Sequence, residues 1–64
     1  MDVREIVKLQ EGYQSLLNKG KLTKKAMCDL VIPFRDRHGL TDQQALRIAR
    51  KEMDLSEMLE VLGD

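Results

Sequence analysis

A chain of 64 residues makes one small domain, and at that size folding buries only about 60% of the surface that the unfolded chain exposes. Apolar residues at 42% are too many for a disordered chain, while charged residues at 34% favour solubility. The 11 basic and 11 acidic residues cancel, Cys28 is the single cysteine, and no apolar run approaches the ~18 residues of a membrane span, which argues against a polycation, an internal disulfide and a transmembrane protein. The opening Met1-Asp2-Val3-Arg4-Glu5 has neither the basic start nor the apolar centre of a secretory leader, so the expectation is a cytoplasmic protein in a reducing compartment.

The first predicted element is a helix over about 2–19. Val3, Ile6, Leu9, Tyr13 and Leu16 recur at helical spacing, flanked by Val7 and Leu17, and form one broad apolar stripe. Asp2 is placed to cap it with Glu5 as capping-box partner, and Gly20 to close it. Gly12 lies inside, where glycine costs about 1 kcal/mol relative to alanine, so either the position is exposed and tolerated, the simpler expectation, or another backbone approaches closely there.

Thr23 opens a second helix over about 23–38, with Leu22 and Met27 placed as a hydrophobic staple and Met27, Leu30, Val31 and Phe34 facing inward. Pro33 cannot donate to the Asp29 carbonyl, so the helix is expected to kink there but to continue to Gly39. Lys24 and Lys25 stand at its N-terminus, the wrong end for the helix dipole.

Thr41 and Gln44 have capping-box spacing and start a third helix over about 41–52, with Ala45, Leu46, Ile48, Ala49 and Met53 on its buried side. Asp54, with Glu57 as box partner and Met53 and Met58 as a possible staple, starts a fourth over about 55–62, ending at Gly63. Neither Gly nor Pro separates the last two, so one long helix over 41–62 is the rival arrangement. The expected fold is all-α, a single domain with three to four short helices around one core.

Residues 39–62 resemble the last two helices of a ubiquitin-associated domain in Gly39-Leu40-Thr41, in the Gln44-Ala45-Leu46 core and in Leu59 and Leu62. The resemblance covers under half the chain. That family's ubiquitin-contacting loop is of Met-Gly-Phe type, whereas here it reads His38-Gly39-Leu40, so the resemblance implies three-helix packing alone.

The charges are segregated. Residues 19–51 carry Lys19, Lys21, Lys24, Lys25, Arg35, Arg37, Arg47, Arg50 and Lys51 against Asp29, Asp36 and Asp42, a balance of +6, while residues 52–64 carry Glu52, Asp54, Glu57, Glu60 and Asp64 with no base, a balance of −5. The plain reading is solvated helix faces that attract one another within the fold. The sharper one is a bipolar surface for a charged partner or for head-to-tail self-association.

Chemistry finds little purchase. Nucleophilic catalysis needs an activated Ser, Cys or Thr beside a base, and a structural zinc site about four Cys or His ligands. Cys28 reads as a small buried hydrophobe, and His38, before Gly39, as a partner for the last carbonyls of its helix. No enzyme, metal, cofactor or small-molecule substrate is expected. The leading expectation is a non-catalytic cytoplasmic interaction or regulatory module that binds a larger protein partner or itself. The first helix has more large apolar residues than one side of so small a bundle needs, and Tyr13, Leu16 and Leu17 are the candidate contacts. The alternative is a helix-turn-helix DNA-binding protein that uses 41–52 as recognition helix, with Gln43, Gln44, Arg47, Arg50 and Lys51 as candidate contacts to nucleic acid.

Overall fold

The computed structural model describes residues 2–63. Among them are four helices and no strand: α1 (Val3–Asn18), α2 (Lys24–His38), α3 (Asp42–Ala49) and α4 (Leu55–Leu62). The chain is a small all-α bundle. Helices α1, α2 and α3 pack pairwise, whereas α4 lies at the periphery and reaches the core through Met58, Val61 and Leu62. The three mutually packed helices are therefore the first three, while the likeness to a ubiquitin-associated domain concerned the stretch that ends in α4.

Each start is set by a capping side chain. Asp2 accepts from the Arg4 amide at 3.0 Å, Thr23 from Ala26 at 3.1 Å, and Asp54 from Glu57 at 2.8 Å. Only at Thr41 is the reciprocal box complete, with the Gln44 amide donating to Thr41 Oγ1 at 3.1 Å and the Thr41 amide to Gln44 Oε1 at 2.9 Å. The box expected at Asp54 is half formed and that at Asp2 is absent, the Asp2 carboxylate taking the Arg4 amide in place of that of Glu5, while the Glu5 and Glu57 side chains pair with cations on other helices.

Helix α3 stops at Ala49 and not near 52. Lys51 adopts φ 61°, its amide donates to the Ile48 carbonyl at 3.1 Å, and the Glu52 amide to the Arg47 carbonyl at 2.8 Å. This pair of bonds is a Schellman closure, usually built on glycine, as Gly20 does for α1. It separates α3 from α4 and removes the single long helix. Through Pro33, by contrast, α2 is one helix. Both Pro33 and Asp29 are exposed, so water is at hand for the carbonyl that proline leaves without a donor.

The core consists of Ile6, Leu9, Val31, Phe34, Ala45, Ile48, Ala49, Met53 and Met58, with Ala45 and Ile48 fully enclosed. Met53 belongs to the α3–α4 connection rather than to α3, yet it is buried. Gly12 is a close approach and not a tolerated exposed site: a β-carbon there would lie 2.9 Å from Leu30 Cδ1 and 3.3 Å from Cδ2, so its absence lets α2 seat against α1. Across the other side of α1, Gln10 Nε2 donates to the Ile48 carbonyl at 3.2 Å, tying α1 to the end of α3.

A non-glycine residue in the left-handed region is strained, and Lys51 is exposed with no other visible demand on its side chain. Lys51→Gly is therefore expected to raise unfolding stability by about 0.5–1 kcal/mol, read as a higher urea midpoint at unchanged slope. A lower midpoint would mean that the lysine side chain contributes contacts that outweigh the strain.

Candidate interaction surface

Helix α1 presents its apolar residues on two flanks. Gly12 faces α2, and Gln10 faces α3, so the row Val3, Val7, Gln10, Gln14 and Leu17, spaced by three or four residues, runs along the flank away from α2. On that row Val3 is 60% exposed, Val7 40% and Leu17 50%. The expected triad of Tyr13, Leu16 and Leu17 does not form one patch. Tyr13 is half-buried against the core, and its hydroxyl accepts from Arg50 Nε at 3.2 Å. Leu16 is half-buried, about 100° round the helix from Leu17. The excess of apolar residues on α1 was readable from the sequence, but which of them would stay outside depended on where α3 came to lie. Val3 and Val7 were missed for that reason.

The second exposed apolar pair is Leu55 at 65% and Leu59 at 40%, which with Ser56 and Glu60 make the outward face of α4. Nothing but packing decides this, since the same helix buries Met58 and half-buries Val61 and Leu62.

The five residues proposed for nucleic acid sit at or after α3, and most are engaged within the fold. Gln44 completes the cap. Arg47 makes a bidentate pair with Glu57, Nη2 to Oε1 at 2.9 Å and Nη1 to Oε2, and this clamp fastens α4 to α3. Arg50 holds Tyr13 and lies 3.9 Å from Glu52. Lys51 forms the closure, and Gln43 projects into solvent.

At the opposite corner Glu5 binds both Arg37 and His38, the latter through His38 Nε2 to Oε2 at 3.0 Å. His38 thus turns away from the helix carbonyls, and its ring tilts against Phe34 at 4.6 Å between centroids. Hydrogen bonds from Arg37, and secondarily from His38, hold the Glu5 carboxyl below its ordinary value. An ionised, doubly paired carboxylate acts as a clamp between α1 and α2. It borders an open groove of roughly 200 Å³ lined by Glu5, Lys8, Leu9, Leu30, Pro33, Phe34 and Arg37. A smaller one between α2 and α3 includes half-buried Cys28 beside Met27, Val31 and Leu46.

Among the described residues no three of His, Cys, Asp and Glu cluster as a metal site, and no helix is long and apolar enough to cross a membrane. No protein-family model, curated protein or solved structure matches this chain.

Because the folded-state pKa of Glu5 is lowered, its contribution to stability is complete above its ordinary value of 4.5 and is lost as pH falls through the folded value. Glu5→Gln should lower the thermal midpoint at neutral pH, and the gap from wild type should close as pH is taken down through the acid range. A gap unchanged in acid would show that Glu5 acts through packing alone.

Proposed function

We propose that the chain is a non-catalytic, cytoplasmic interaction or regulatory module that binds a larger protein, or a second copy of itself, through apolar residues left outside its core. The observation that carries this reading is that six large apolar side chains stay exposed among the described residues, five of them on α1 and α4. Scattered exposed leucines need no explanation, but two pairs at i, i+4 spacing, Val3 with Val7 and Leu55 with Leu59, make contiguous stripes of the kind that helix-binding surfaces present. Leu17 lies on the same flank, further along α1. Val3→Ser combined with Val7→Ser should leave stability within about 0.5 kcal/mol, since both residues are on the surface. The tagged double variant is then expected to lose a protein that the wild-type chain captures from its source cells. Equal capture by both would sink this surface.

A second reading is favoured by one feature, the three-residue connection Gly39-Leu40-Thr41 between α2 and α3, which has the length of a helix-turn-helix turn. DNA binding through α3 would require Arg47 and Arg50 to exchange Glu57 and Tyr13 for phosphates or base edges. Titration with mixed duplex DNA at low salt should then shift the amide resonances of Gln43, Arg47 and Arg50. Unmoved resonances there dispose of the DNA reading.

A further inference from the structure

We propose that the outward face of α4 docks on the α1–α2 turn of a second copy of this chain. Ion pairing divides the cations by type. Among the described residues each arginine has a carboxylate within 4.0 Å, and no lysine does. Four of the lysines, Lys19, Lys21, Lys24 and Lys25, fall within seven residues at the α1–α2 turn, all exposed, and exposed Leu17 adjoins them. Lys24 and Lys25 also begin α2, where the helix dipole disfavours positive charge, so the fold itself gives them no compensation. An anionic surface brought from outside would supply it.

The chain carries such a surface. Helix α4 turns Leu55, Ser56, Leu59 and Glu60 outward, with exposed Asp54 and Glu52 at its start and no base in its own sequence. Asp54 and Glu60 have no ion-pair partner among the described residues. Each surface thus combines leucine with charge of one sign, and the signs are opposite. Exposed ion pairs alone contribute little, so the leucines provide the apolar contact while the charges set orientation and approach. A patch this small gives a weak, salt-sensitive association. A second copy is favoured over an unrelated acidic partner because both halves of the match, apolar and charged, are present on one chain. The proposal rests on the interaction-module reading above and names the partner.

Analytical ultracentrifugation over a concentration series up to millimolar tests it. At about 0.01 M salt, where charges act over about 30 Å, the weight-average mass of the wild-type chain should climb above that of one chain, and at about 1 M salt the climb should be largely lost. Lys24→Glu with Lys25→Glu, and separately Leu59→Lys with Glu60→Lys, alter only exposed positions, and each double variant alone should show at least tenfold weaker association. Mixed in equal amounts, the two variants should form a one-to-one complex, because each retains the surface that the other lacks. A wild-type chain that stays at the mass of one chain in low salt, variants that associate as well as wild type, or a mixture that stays unassociated overturns the proposal. In the first of these cases, loss of a captured protein on changing Val3 and Val7 would still uphold the interaction module, so the two ideas fail separately.

Discussion

Burial of the Ala45, Ile48 and Ala49 face of α3 between α1 and α2 is the contact on which the other elements depend. An isolated helix of eight residues does not persist in water, so α3 exists only because its neighbours enclose it. Two of its three buried side chains are alanines, which let the longer helices come close. Gly12 serves the same closeness on the other seam, where Leu30 fills the space that a β-carbon would take. With α1, α2 and α3 so placed, α4 packs from the edge, its own Met58 joining the core to which Met53 of the preceding connection also belongs.

The charges follow from this packing. Guanidinium groups sit at the seams, Arg37 between α2 and α1, Arg35 between α2 and Asp42 of α3, and Arg47 between α3 and α4; the flat, multiply donating group lets Arg35 meet Asp36 and Asp42 together and Arg47 both oxygens of Glu57. Lysine, a well-hydrated point charge on a flexible stem, is kept to surfaces that face water. Of the polarity of the sequence, basic middle against acidic tail, one pair, Arg47 with Glu57, joins neighbouring helices. What is left over gathers at the α1–α2 turn and on α4; Asp64 lies outside the described residues.

How much of this the sequence disclosed depended on range. Helix starts were legible because a cap and the amide it accepts from lie within three residues, as Thr23 with Ala26 and Thr41 with Gln44. Apolar spacing placed Ile6, Leu9, Phe34, Ile48 and Met58 in the core for the same local reason. The long-range uses of Glu5, Glu57 and Tyr13 were hidden, since each had a nearer role that satisfied local rules while its actual partner sits 10 to 37 positions away. The end of α3 was hidden differently: no glycine marks it, and a lysine takes a conformation that its side chain does not favour. On α1 the sequence disclosed a surplus of apolar residues, and the packing of the bundle left Val3, Val7 and Leu17 outside while half-burying Tyr13 and Leu16.

Gln10 and the end of α3 share one oxygen. The Ile48 carbonyl accepts both the Gln10 side-chain amide and the Lys51 amide, whereas in a continuing helix it would accept from Glu52. Docking of α1 and termination of α3 thus meet at one atom, each using one of its two lone pairs. The boundary between the third and fourth helices is closed locally by the Lys51 and Glu52 amides, and a side chain 38 positions upstream seals the same oxygen from the α1 side. Because α3 persists only while its neighbours enclose it, a chain deprived of α1 loses both that enclosure and this contact, so the third helix depends on the first being in place.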